Sequence, residues 1–217
     1  MNKELFKRVL SSIFIVPIVL FCVIKGSIIF NSFIVICFAV TSYEWHMMSK
    51  NKPYHLFGFL FLMISFYMAY ALRNLGINFH YFLSILLICI STDIGGYIFG
   101  KTFKGPKITK ISPNKTYAGL IGSYIFSMMV LSIYLSTYVI YSQSIIMTLD
   151  TFIFIFFVST ISQLGDITIS YFKRLSDIKD TGKIIPGHGG LLDRVDGMIF
   201  AFPFAYIFLK LDIFRFI

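Results

Sequence analysis

Charge is what this chain has least of. Of its 217 residues only 13% are Asp, Glu, Lys or Arg, 57% are hydrophobic, and the mean hydropathy is +0.82. A soluble domain carries about 25% charged residues, so a water-solvated globule is excluded. Cysteine is also scarce: Cys22, Cys37 and Cys89 make an odd three, each inside an apolar run. Such thiols behave as small hydrophobes, and neither a disulfide framework nor a Cys-rich metal site follows. The chain has no low-complexity linker, no soluble domain and no internal repeat. The missing repeat weighs against a transporter built from two related halves. No small-residue cleavage site follows the first apolar run, which is therefore expected to be a span and not a signal peptide.

What the chain has in quantity is apolar length. Seven runs, roughly 9–24, 27–45, 54–72, 79–100, 117–141, 146–165 and 195–214, suit a hydrocarbon core about 30 Å thick. They are continuous, without the ten-residue alternation of barrel strands, so helices are expected. The fold class that follows is all-α: a polytopic integral membrane protein with about seven transmembrane helices, one membrane domain over 1–217. Within it, 1–78 supplies N-terminal helices of little polarity, and 79–217 the polar helices and loops.

The net charge of +9 reads as topology before nucleic-acid binding. With Lys3, Lys7 and Arg8 inside, seven crossings put 15 of 19 Lys and Arg on one side. Lys25, Arg73, Lys210 and Arg215 fall on the other. That is the positive-inside bias. The polar segments 101–116 and 166–194 are separated by two spans, so they share a side, expected to be cytoplasmic.

Polar residues inside the spans are few and patterned. Glu44, Trp45 and His46 end the second span and read as interfacial groups at headgroup level. Thr92, Gly96 and Gly100 lie four apart, as do Gly119, Ser123 and Ser127, a spacing that lets helices approach closely in lipid. Ser159, Ser162, Asp166, Ser170 and Lys173 recur every three or four residues along the sixth span. They form one stripe, which must face a cleft or another helix and not acyl chains.

The acids are concentrated too: residues 166–196 hold five of the chain's ten. Asp93 lies inside the fourth span, where a carboxylate costs roughly 2.5–3.5 kcal/mol on the insertion scale. It reads as functional, or else as bonded to a neighbouring helix. Asp193 and Asp196, three apart, would share a face at the start of the last helix, with helix capping as the alternative. The preceding Pro186-Gly187-His188-Gly189-Gly190 should form a tight turn.

Lys173, Arg174, Lys179, Lys183 and Arg194 stand among these acids, and Lys101, Lys104, Lys107, Lys110 and Lys115 lie in the other polar segment. Such cations suit phosphate groups. Acids in the same pocket would repel phosphates unless a divalent cation sat between, and oxygen ligands select Mg²⁺ or Mn²⁺. Together they point to metal-assisted phosphoryl or nucleotidyl transfer, against the alternative of a salt-bridged loop. His188, the one histidine of that segment, is open to a role as general base or as a partner of loop or phosphate.

Two spellings mislead. Gly95 to Thr102 matches the P-loop pattern, but it ends an apolar run instead of joining a buried strand to a helix. Asp193-x-x-Asp196-Gly197 opens like the CDP-alcohol phosphatidyltransferase signature, yet Met198-Ile199-Phe200-Ala201 does not continue it.

A third pattern is met in full. Ser170-x-Phe172-Lys173-Arg174-x₄-Lys179-Asp180-x-Gly182-x₂-Ile185-Pro186-x-His188-Gly189-Gly190-Leu191-x-Asp193-Arg194-Val195-Asp196 resembles the signature of the phosphatidate cytidylyltransferases (CDP-diacylglycerol synthases) over 27 residues. A second block resembles the family as well: Asp93-x-Gly95-Gly96-Tyr97-x₂-Gly100, then Ser112-Pro113-Asn114-Lys115-Thr116-Tyr117-Ala118-Gly119. The family usually has Lys, Trp and Glu where Asn114, Tyr117 and Ala118 stand. The likeness runs from Asp93 to Gly197; before it, only helical hydrophobicity is shared.

The resemblance implies transfer of CMP from CTP to phosphatidate in phospholipid biosynthesis, at the cytoplasmic face of the inner membrane. The nucleophile would be a lipid phosphate oxygen, already ionised because a phosphomonoester's second pKa is about 6. No Ser/His/Asp triad is then needed, and catalysis becomes alignment and charge neutralisation. By resemblance Asp166 and Asp193 would hold Mg²⁺ or Mn²⁺, with Asp196 and Asp93 as weaker candidates. Lys173, Arg174, Lys179 and Arg194 would neutralise phosphates, and Ser112, Lys115 and Thr116 would contact the nucleotide, with Asp180 and His188 beside the substrate. Expected partners are CTP, phosphatidate and membrane lipids entering laterally between helices. A homodimer is left open, and nucleic acid is excluded. Two other readings stay in play, a CTP-dependent lipid kinase and a membrane transporter.

Overall fold

Backbone N–H and C=O groups find no water in hydrocarbon, and a helix satisfies them within one segment. The computed structural model obeys this, describing residues 3–75, 79–109, 111–112, 115–142, 148–185, 187 and 189–213. Its helices are α1 (Lys3–Lys25), α2 (Ser27–Ser49), α3 (His55–Arg73), α4 (His80–Phe103), α5 (Tyr117–Ser142), α6 (Leu149–Leu175), α7 (Leu192–Val195) and α8 (Met198–Lys210). Among the described residues there is no strand; two isolated bridges, Lys107 with Thr116 and Ile185 with Gly189, pin loops.

The protein is an all-α integral membrane protein, but the count of seven spans is not reproduced. Among the described residues five helices, α2 to α6, are long and apolar enough to cross a membrane. The expected last span is divided: α7 is a single turn, Asp196 and Gly197 follow it, and α8 has only 13 residues. That is short of the roughly 20 a straight crossing needs. At the other end, the fully described part of α1, Ile13–Lys25, is likewise short.

α4 runs through the middle of the bundle and packs on α3, α5, α6 and α8. The small residues at four-residue spacing face each other across α4 and α5. A Cβ on Gly119 would stand 2.7 Å from the Gly96 carbonyl oxygen, and one on Gly95 2.6 Å from that of Gly122. The Ser123 hydroxyl donates to the Thr92 carbonyl at 2.8 Å, and the Thr92 and Ser159 hydroxyls pair at 2.8 Å, tying α4 to α5 and α6. Gly119→Ala is therefore expected to force α4 from α5. Overpacking of this kind costs about 1–3 kcal/mol, read as a lower unfolding temperature in detergent, by about 2–4 °C per kcal/mol.

The crossing of α6 with the last helices is equally close. A Cβ on Gly165 would meet the Asp196 carbonyl oxygen at 2.9 Å, and one on Gly197 the Ser162 carbonyl oxygen at 2.8 Å. Asp196 is thereby laid on α6 beside Asp166. At the other end of the site, Trp45 donates from Nε1 to the His55 carbonyl at 2.9 Å and sets its ring edge-on to Phe172, 5.4 Å between centroids. It joins Met48, Ile169, Leu192 and Ile199 in a buried apolar cluster that seats α7. A groove of about 310 Å³ between α2 and α3, bordered by Phe38, Met63 and Tyr67, touches none of the candidate residues. Its lining carries no cation for a phosphate.

Candidate active site

The stripe on α6 faces protein, as its spacing predicts: Ser159, Ser162, Ser170 and Lys173 are buried. Asp166, in the middle of it, receives Lys115 Nζ on Oδ2 at 2.6 Å and the Ser170 hydroxyl on Oδ1 at 3.2 Å. Lys115 also donates to the Gln163 carbonyl at 3.2 Å. It reaches α6 because the loop after α4 doubles back, Ile108 N–H bonding to Lys115 C=O at 2.9 Å and Tyr117 N–H to Pro106 C=O at 3.2 Å. Thr116 then starts α5, its Oγ1 accepting Gly119 N–H at 3.1 Å as an N-cap. The two polar segments thus meet on one side of the bundle, as the span count requires.

Asp193 sits at the second junction. Its side chain is 4% exposed, and Oδ1 takes Lys173 Nζ at 2.9 Å. Oδ2 takes the backbone N–H groups of Thr181 at 2.8 Å and Gly190 at 3.0 Å. Burial opposes ionisation of this carboxyl, but the Lys173 ammonium and the two N–H donors outweigh it and hold the pKa below the usual carboxylate range. The glycine-rich stretch is the tight turn expected of it. Ile185 N–H bonds to Gly189 C=O at 3.0 Å, with Gly187 and Gly189 at φ 77° and 86°, where a side chain would be strained. Pro186 and His188 lie outside the described residues.

Asp193 and Asp196 have different bonding partners, although Lys173 is within electrostatic reach of both. Asp193 turns into the loop and Lys173, whereas Asp196 is buried against α6. Asp196 instead lies within electrostatic reach of Asp166 and Asp93, and Asp93 within reach of Lys115 and Arg194. Asp93 is exposed on the bare protein surface and, among the described residues, makes no hydrogen bond or ion pair. Arg174 is exposed and donates from Nη1 to the Ile178 carbonyl at 3.1 Å, closing the end of α6. Lys179, Asp180 and Arg194 are exposed, and Ser112 is half-buried, its carbonyl accepting Lys115 N–H at 3.1 Å. The P-loop spelling lies inside α4, where its glycines pack on α5.

The residues suit a hard cation only in part on their own. Among the described residues, no group of three or more His, Cys, Asp or Glu side chains is gathered closely enough to hold a metal. Mg²⁺ is commonly bound by one or two carboxylates, with waters and substrate phosphates completing the shell. Asp166 and Asp196, two carboxylates within electrostatic reach of each other, are oxygen donors of the kind such a shell uses.

One member of the site was misread from sequence. Glu44 is not an interfacial group: it is 2% exposed and bonded to residues of the 181–192 loop. The available signal was the one applied to Asp93, a carboxylate inside an apolar helix.

Residues 54–212 match the model of the cytidylyltransferase family. The chain belongs to that family. A protein named phosphatidate cytidylyltransferase in Staphylococcus haemolyticus (strain JCSC1435) is 38% identical over 186 residues, 82% of this chain and 68% of that one. The protein of the same name in Rickettsia felis is 33% identical over 211 residues, 94% of this chain and 92% of its own. A third, from Staphylococcus aureus (strain COL), is 36% identical over 186 residues. The cytidylyltransferase match opens at residue 54, so Glu44 stands ten residues ahead of it.

Proposed function

We propose that this chain transfers CMP from CTP to phosphatidate, giving CDP-diacylglycerol and pyrophosphate. The observation that carries the reading is the junction at Lys115 and Asp166, where cations and carboxylates from distant segments meet on one side of a helical bundle. The names of its relatives agree with it. A phosphate oxygen of phosphatidate attacks the α-phosphorus of CTP, the bond to the bridging oxygen breaks, and pyrophosphate leaves. That nucleophile is ionised near neutral pH, so no side chain need take a proton.

The protein's task is then to align two polyanions. Lys115, Lys173 and Arg194 offset their charge, with Arg174 and Lys179 on the exposed rim. Mg²⁺ or Mn²⁺, when bound, would screen the phosphates and stabilise the departing pyrophosphate. Asp166 and Asp196 would hold it, with Asp93 beside them; Asp193, whose oxygens already take Lys173 and two backbone N–H groups, would keep one acceptor site for it. Gln163 Nε2, buried and without a partner among the described residues, is a spare donor on the same helix. The positive-inside bias supports a cytoplasmic face of the inner membrane, where CTP is available.

Purified protein in detergent, given CTP labelled at the α-phosphate, Mg²⁺ and phosphatidate, is expected to yield labelled lipid and an equal amount of pyrophosphate. Chelation should stop the reaction, and Mg²⁺ should restore it. Transfer of the γ-phosphate to a lipid alcohol would instead identify a lipid kinase. No lipid product of either kind would overturn the reading.

A further inference from the structure

A carboxylate withdrawn from water is tolerated where its oxygens are filled by donors. Glu44 meets that condition inside the membrane domain, on α2. Its Oε1 accepts Leu191 N–H at 2.9 Å; its Oε2 accepts Leu192 N–H at 2.7 Å and the Thr181 hydroxyl at 3.2 Å. The loop closes round it where side chains are absent. A Cβ on Gly190 would stand 2.6 Å from Oε2, and one on Gly182 2.7 Å from Oε1. Asp193 grips the same loop from the other side, through the N–H groups of Thr181 and Gly190. The loop is therefore held between two carboxylates, one of them outside the matched family region.

We propose that Glu44 is a positioning residue: it sets the 181–192 loop against α6 and, through it, fixes Asp193, Arg194 and Asp196. Its effect on turnover rests on the CMP-transfer reading; its hold on the loop rests on geometry alone. Leu191 precedes and Leu192 opens the single turn of α7, so a shift there moves all three charged residues. An amide in place of the carboxylate keeps one acceptor and turns an N–H toward a backbone N–H.

Glu44→Gln and Thr181→Val, the second removing only the hydroxyl donor, are to be compared with wild type in detergent. Backbone amide exchange is expected to speed up at 189–193 by at least about tenfold in Glu44→Gln, and less in Thr181→Val, with α4 and α5 unchanged. Turnover per folded molecule should fall by about 10–100-fold in Glu44→Gln, the range seen when groups supporting a catalytic shell are removed. Unchanged exchange at 189–193 in both variants would overturn the proposal. So would exchange rising equally through α4 and α5, which marks an ordinary core residue, or a loosened loop with full turnover. If Glu44→Gln does not fold, the exchange pattern and turnover of Thr181→Val decide. Wild type making no lipid-linked CMP would remove the CMP-transfer reading, while the exchange measurement still decides whether Glu44 holds the loop.

Discussion

Asp166→Asn is expected to cut CMP transfer by at least about 100-fold, the scale on which one preorganised charged group contributes to a transition state, while leaving the fold intact. Asp166 is only partly buried, and it lies within electrostatic reach of Asp93 and Asp196. Removing its charge relieves repulsion, and asparagine keeps its one oxygen for Lys115 and offers an N–H to the Ser170 hydroxyl. Stability should therefore change little. Labelled CTP incorporation into lipid measures the first effect, and thermal unfolding in detergent the second. Near-normal turnover would mean that Asp166 serves only to anchor Lys115.

Asp193→Asn should behave differently, losing activity and stability together. Its carboxylate is the partner of a Lys173 ammonium whose side chain is 10% exposed. Breaking a buried pair from one side costs about 3–5 kcal/mol because the other charge is left bare. For a chain of this size that corresponds to a fall in unfolding temperature of about 6–20 °C. Adding Lys173→Met removes the stranded charge, so the double variant should regain most of the stability and none of the activity. The pH dependence follows from the same contacts. A carboxyl held below its usual value stabilises the fold at pH above its unfolded pKa of about 3.9, and that stability is lost as pH falls through the lower folded value. Wild type should lose stability along that acid limb, and Asp193→Asn should show a flatter one. Equal acid limbs would remove the assignment.

The α6 stripe could be read in advance because Ser159, Ser162, Asp166, Ser170 and Lys173 belong to one helix, whose period is a property of the backbone. The close approach of α4 and α5 was legible in the same way, though not that each is the other's partner. The Asp193–Asp196 pair shows where such reasoning stops. Spacing on a helix places both on one side, near Lys173, but it does not say that Asp193 is the one that takes its ammonium and two loop N–H groups while Asp196 lies toward Asp166 and Asp93. Glu44 was missed because its partners lie 137 to 148 residues away, and no local pattern encodes a contact of that span.

By itself, then, the sequence determined the solvent, the helical class, the clustering of acids and cations, and the motif that ties the chain to its family. Each of these depends on residue type and local period, which lipid and backbone geometry read directly. Only the tertiary structure decided which charge neutralises which: Lys115 with Asp166, Lys173 with Asp193, and Glu44 with the loop between them. Electrostatic and hydrogen-bond energies fall off over a few ångströms in space and take no account of separation along the chain. Those pairings follow from how helices far apart in sequence pack.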